Sequence, residues 1–169
     1  MRNGIDVYTN PETAEKIKCG TVPCYANETK FYSYKDWFIP FEVPHTDNDG
    51  LNPCQNFAFL IRFDGQRFLY MTDWQMCPYV LAKYKIHHFV IAINYSDEIS
   101  ERHVLNGHAS LNTAVEFLKT SMTDSCKSIS ICHVSERHAD PDLILETIKQ
   151  LAGNKVNVNI CKKGETINL

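Results

Sequence analysis

FAFLIRFDGQRFLYMTD, residues 57–73, is the stretch on which the fold turns: two apolar runs, Phe57 to Phe63 and Gln66 to Thr72, joined by Asp64-Gly65 and closed by Asp73. A two-residue Asp-Gly connection between apolar runs signals a type I′ hairpin, because both residues accept positive φ. The second run stops on a carboxylate. The same happens elsewhere, where FEVP ends at His45, FVIAI at Asn94 and SISIC at His133. In open α/β sheets ligands collect at the carboxyl ends of strands, so polar groups delivered there by separate strands converge although they are far apart in sequence. Two histidines and an aspartate meeting in this way form a donor set suited to a divalent metal.

Outward from the hairpin, strand and helix alternate with no repeat and no low-complexity tract, which predicts an α/β fold. Ile5 to Thr9 reads as a short strand, followed by a helix with Asn10 as N-cap, Pro11 at the first position and Gly20 as the stop. Residues 21–36 are Tyr-rich and aperiodic, a loop or a short edge strand. Leu111, Ala114, Val115 and Leu118 recur at helical spacing behind Ser110, a candidate N-cap. Ile144, Ile148 and Leu151 mark another helix, capped by Asp140, started by Pro141 and stopped by Gly153. Val156, Val158 and Ile160 alternate with Asn157, Asn159 and Cys161, the pattern of a half-buried edge strand. Phe57, Phe59 and Phe63 share one face of their strand and are expected in the core rather than as a base-stacking platform.

Composition narrows the class. With 169 residues, 44% hydrophobic and 22% charged, the chain has the material for one sizeable core and reads as a single domain over residues 1–169. The N-terminus has no apolar signal region and no apolar stretch reaches the length of a membrane span, so a soluble, cytoplasmic protein without membrane contact is expected. Seven cysteines at irregular spacing fit reduced thiols better than a disulfide framework, and Cys19 and Cys24 lack the second pair a zinc clip needs. The formal charge of −3 argues against binding long nucleic acid by overall basicity, and slightly favours a small nucleotide over a polymer.

The order of these pieces, FEVP-His45, a hairpin ending Thr72-Asp73, Ile93-Asn94-Tyr95-Ser96, Gly107-His108-Ala109-Ser110-Leu111 and Cys132-His133-Val134-Ser135, resembles the later part of a metallo-β-lactamase-fold hydrolase, in particular its YycJ-like and ribonuclease Z-like phosphodiesterase branch. The resemblance implies an αββα sandwich. It implies that His45, Asp73 and His133 are metal ligands for Zn²⁺ or Mn²⁺, two ions in the full site, with Asp73 bridging. It further implies that His108 lies beside the scissile phosphate, stabilising charge or protonating the leaving group, and that Asn94 lies on the substrate side. Each residue also has a local reading: Asp73 as a turn cap, His108 as part of a capping loop, and Asn94 as a loop residue satisfying nearby backbone.

The chain departs from that pattern in one respect. The H-x-H-x-D-H signature that precedes these motifs in such enzymes has no counterpart here, and His87-His88 reads as a strand start. The fold is therefore expected to be incomplete at its N-terminal side. Two functional readings follow. One is a metal-dependent hydrolase of phosphodiester bonds in nucleic acid or a cyclic nucleotide, acting alone, as a homo-oligomer or with a chain that supplies the missing half. The other is a catalytically silent remnant that binds a nucleotide or a protein partner.

Overall fold

The Asp64-Gly65 turn forms as its dipeptide demands, with φ of +47° and +73°. It joins β7 (Phe57–Phe63) to β8 (Gln66–Met71), antiparallel with Leu60 opposite Leu69. The computed structural model describes residues 7–17, 21–31, 33–46, 52–96 and 107–166. Ile5, Asp6, Cys19, Gly20 and His103 lie outside the described residues.

Around the hairpin a seven-stranded mixed sheet is built in the order β11-β10-β9-β8-β7-β4-β3. On one side of it β9 (His88–Ala92), β10 (Ser128–Cys132) and β11 (Asn157–Ile160) continue from β8 in parallel. On the other, β4 (Trp37–Glu42) and β3 (Lys30–Phe31) run antiparallel, β3 being the short edge strand within the Tyr-rich region. β11 forms the opposite edge, as its alternation predicts. Two small ladders stand apart: β1 (Val7–Thr9) with β2 (Thr21–Pro23), and β5 (His45–Thr46) with β6 (Pro53–Cys54).

The helices start where their N-caps dictate, and the helix Pro141–Ala152 stops at Gly153 as read from the sequence. Asn10 Oδ1 accepts from Thr13 N at 2.8 Å ahead of α1 (Pro11–Ile17). Ser110 accepts from Thr113 N ahead of α2 (Leu111–Ser121), and Asp140 accepts from Asp142 N and Leu143 N ahead of α3 (Pro141–Ala152). A side-chain oxygen in that place satisfies an N–H that has no partner within the helix. No helix among the described residues is long and apolar enough to cross a membrane.

Strand periodicity sorts the sheet into two faces. Leu69, Phe89, Ile129 and Val158 occupy one row, Met71, Ile91, Ile131 and Ile160 another, and both rows pack against Leu111, Ala114, Phe117 and Leu118 of α2 and Ile144 and Ile148 of α3. Each fully buried side chain of this kind contributes about 1.5–3 kcal/mol, so this face is the main source of stability. On the other face Phe38, Phe57 and Cys24 form a smaller buried cluster with Tyr8, Ala26, Phe59 and Ile61 around it. The expectation for the phenylalanines therefore holds for Phe57 and Phe59 but not for Phe63, which is 62% exposed. Phe63 ends its strand at the hairpin turn, beyond the reach of that cluster.

At the amino ends of the parallel strands, His88 is buried, stacked on the Phe68 ring with centroids 4.8 Å apart and with Nδ1 2.8 Å from Ser128 Oγ. Burial first, then the charges of Lys127 and His87, holds its pKa below the ordinary 6.5.

Two measurements check this architecture. Ile131→Ala is expected to lower unfolding free energy by about 2–5 kcal/mol and the cap variant Asp140→Ala by about 0.5–2 kcal/mol, read from urea midpoints at equal slope. Because the folded state binds a proton at His88 less readily than the unfolded chain does, stability is complete above a pH of about 6.5 and falls as pH drops below it. Urea titrations at successive pH values are expected to show a shallower acid-side decline in His88→Gln, with His87 and His108, whose pKa values burial also lowers, contributing in the same direction.

Candidate metal centre

Register carries Asp73 and His133 to one level. Met71, Ile91 and Ile131 share a row across β8, β9 and β10, so Asp73 and His133 each stand two residues beyond it, with the end of β9 between them. Both residues enter the left-handed region, with φ of +52° and +53°. That conformation costs an L-residue about 1–2 kcal/mol. It breaks the in-and-out alternation of the strand, and the two side chains meet across the end of β9, His133 Nδ1 lying 2.9 Å from Asp73 Oδ1.

His108 arrives from the segment that leads into α2. Asn94 N donates to Ala109 O, Leu111 N donates to Tyr95 O, and Tyr95 bridges to Ser110, which ties this segment to the end of β9. The His108 ring lies 5.2 Å from that of His133 and 5.1 Å from that of His45. Its Nδ1 is 3.8 Å from Asp73 Oδ1, too far for a hydrogen bond, and is buried with no hydrogen-bond partner among the described residues. Burial holds the His108 pKa below 6.5; His45 and His133 add to this and Asp73 opposes it. A neutral imidazole keeps a lone pair to offer.

His45 opens β5, and its Nδ1 lies 2.8 Å from Gly107 O. A carbonyl only accepts, so the proton sits on Nδ1 and Nε2 keeps the lone pair. This contact needs a glycine at position 107. Its φ is +72°, and a Cβ there would fall 2.5 Å from Thr46 N and 2.7 Å from His45 Nδ1.

The structure thus brings together His45, Asp73, His108 and His133. Within this group, one ligand atom from each of Asp73, His108 and His133 lies within 4.8 Å of the others. Two imidazoles and a carboxylate at that separation, one imidazole nitrogen being buried and unpartnered, fit a divalent ion. The residue that sequence reasoning set on the substrate side, His108, stands among the close donors, and His45 flanks them.

Asn94 is 7% exposed, and its Nδ2 donates to His133 O at 2.9 Å. The comparable residue at the other turn went unnoticed in the sequence: Asn56 Nδ2 lies 2.7 Å from Asp73 O and 3.2 Å from Thr72 O. No motif marks Asn56, a polar residue ahead of an apolar strand. Cys132, next to His133, is no thiolate donor, because burial first, then Cys161 and Asp73, pushes its pKa to about 12.

No family model matches this sequence, and neither does any curated protein. Solved structures match its fold. YhfI from Bacillus subtilis, described as a metallo-β-lactamase fold protein, superposes with a TM-score of 0.68 at 12% identity, over 95% of this chain and 62% of YhfI. Zn²⁺-bound PqqB from Methylobacterium extorquens gives 0.67 at 13% identity, over 97% and 64%. Unliganded yeast PDE1 gives 0.60 at 14% identity, over 91% and 52%. The chain spans less than two thirds of the length of each of these neighbours. A mixed sheet backed by two helices, with Asp73 and His133 just past the carboxyl ends of parallel strands, is in this chain the metallo-β-lactamase fold.

Proposed function

We propose that this chain is a metal-dependent hydrolase of the metallo-β-lactamase fold that acts on phosphodiester bonds, in nucleic acid or a cyclic nucleotide. The observation that carries the proposal is the Asp73, His108 and His133 donor group with its buried, unpartnered imidazole nitrogen. The fold neighbours support the hydrolytic reading: a diphosphatase of the PhnP family is among them, as is yeast PDE1.

Asp73, His108 and His133 would hold a divalent ion, with His45 Nε2 as a further donor at the flank. Bound there, Zn²⁺ or Mn²⁺ supplies Lewis acidity toward a phosphoryl oxygen and lowers the pKa of water. The chain's own residues set the conditions. Asp73 accepts from His133 and fixes that ring; the Gly107 carbonyl fixes the tautomer of His45; desolvation keeps His108 neutral. The strand register sets the separation of Asp73 and His133 before any ion binds, which lowers the reorganisation needed at the site.

Absence of an H-x-H-x-D-H signature from the sequence favours a second reading, in which the same cluster binds a nucleotide or a protein partner without turnover, or turns over only once a second chain joins it.

The test is a titration with Zn²⁺ or Mn²⁺ followed by assay on bis-p-nitrophenyl phosphate, with molar mass measured in solution. Uptake of metal and metal-dependent release of nitrophenol are expected, both abolished in Asp73→Ala and His133→Ala. Metal uptake without turnover, unchanged across oligomeric states, would instead support the binding reading. Gly107→Ala is expected to reduce metal affinity or activity by about 10–100-fold through His45, the range for loss of a ligand's supporting hydrogen bond, as read by calorimetry and by initial rates.

A further inference from the structure

The structure assigns Asn56 and Asn94 as a pair of positioning residues that hold the Asp73 and His133 backbones in the left-handed conformation from which their side chains meet. The inference rests on the metal reading of the site.

The arrangement occurs twice, from unrelated segments. Asn56 stands immediately before β7, the strand beside β8, and gives its carboxamide to the carbonyl of Asp73. Asn94 stands two residues beyond β9, the strand beside β10, and gives its carboxamide to the carbonyl of His133. In each case the accepting residue lies just past the end of its strand at positive φ. A backbone carbonyl rotated out of the ladder loses the neighbouring N–H as a partner, and the Asp73 and His133 carbonyls, both in part-buried contacts, take a side-chain donor instead. The carboxamide takes that place, and so favours the rotated conformer over an extended one.

Each asparagine is itself fixed through its backbone to another part of the site. Val43 N donates to Asn56 O at 3.1 Å, two residues before His45. Asn94 N donates to Ala109 O at 2.9 Å, beside His108, and Ser135 N donates to Asn94 O at 3.2 Å. Asn56 therefore links the approach to His45 with the Asp73 turn, and Asn94 links the His108 segment with the His133 turn. Two asparagines thus touch the segments of all four candidate ligands, the Asp73 and His133 turns through their carboxamides and the approaches to His45 and His108 through their backbone, and neither belongs to the close donor group.

Aspartate in place of either asparagine keeps the shape and removes the N–H donor. The experiment compares the parent with Asn56→Asp and Asn94→Asp, with the alanine variants alongside. In metal-free protein, backbone carbon chemical shifts report the φ region of Asp73 and His133. Asn56→Asp is expected to shift Asp73 toward extended values and leave His133 in place, and Asn94→Asp to do the reverse. Titration with Co²⁺, followed by its visible absorption bands, is expected to give a dissociation constant about tenfold or more weaker in each variant. A new carboxylate near the site would by itself tighten cation binding, so weakening points to the lost hold on the backbone. Should an alanine variant fail to fold, the aspartate variant carries the same comparison.

Unchanged shifts at both turns, or equal Co²⁺ affinity in parent and variants, would overturn the assignment while leaving the metal reading intact. A parent that takes up no Co²⁺ would overturn the metal reading, and with it the role of these residues in presenting ligands, whatever the shifts show.

Discussion

The parallel register of β8, β9 and β10 is the constraint on which the site depends. Neighbouring strands lie about 4.8 Å apart, so residues on β8 and β10 at one level are separated by roughly twice that distance. Only side chains turned toward each other over the end of β9 can close such a gap, and Asp73 and His133 do so because both chains bend at the same level. A slip of β10 by one residue would send Ile129 and Ile131 to the opposite face and move His133 out of line with Asp73. The apolar rows against α2 and α3 resist that slip, so the energy that secures the core also sets the distance between ligands.

The fold was legible where local chemistry decides the outcome. Asp64-Gly65 named its turn, Asp140 and Pro141 named a helix start, and the alternation through Val156, Val158 and Ile160 named an edge strand. That Asp73 and His133 meet was legible for a related reason: polar residues that end apolar runs lie at strand ends, and parallel strands put those ends together, whereas His45 opens the antiparallel β5 and comes in beside His108. What escaped was whatever depends on one segment's place against another. That Asn56 reaches a carbonyl seventeen residues away, or that Gly107 must lack a Cβ because Thr46 and His45 press on it, cannot be inferred from spacing. The standing of His108 among the close donors was missed likewise, because the tie between Ala109 and Asn94 that places it is a backbone bond with no side-chain signature.

The electrostatics of the cluster follow from the mix of burial and partners. His133 has a carboxylate within hydrogen-bonding distance, whereas His108 sits deeper with an unpartnered nitrogen, so the two imidazoles are not equivalent. Desolvation outweighs the attraction of Asp73 at His108, because the other two imidazoles act in the same direction as burial. His108 therefore takes up a proton less readily than a free imidazole and keeps a lone pair to offer a cation.

Trp74 follows Asp73 directly, is fully buried, and anchors through its indole N–H to Ala92 O at 2.9 Å while packing edge-on against Phe117. The chain has two tryptophans, and the other, Trp37, lies on β4 at the far side of the sheet. An anchored, buried indole thus belongs to the residue next to the central carboxylate, which makes the protein's intrinsic fluorescence an optical gauge of the site, needing no attached dye and separable from the signal of the second tryptophan by a Trp37→Phe exchange.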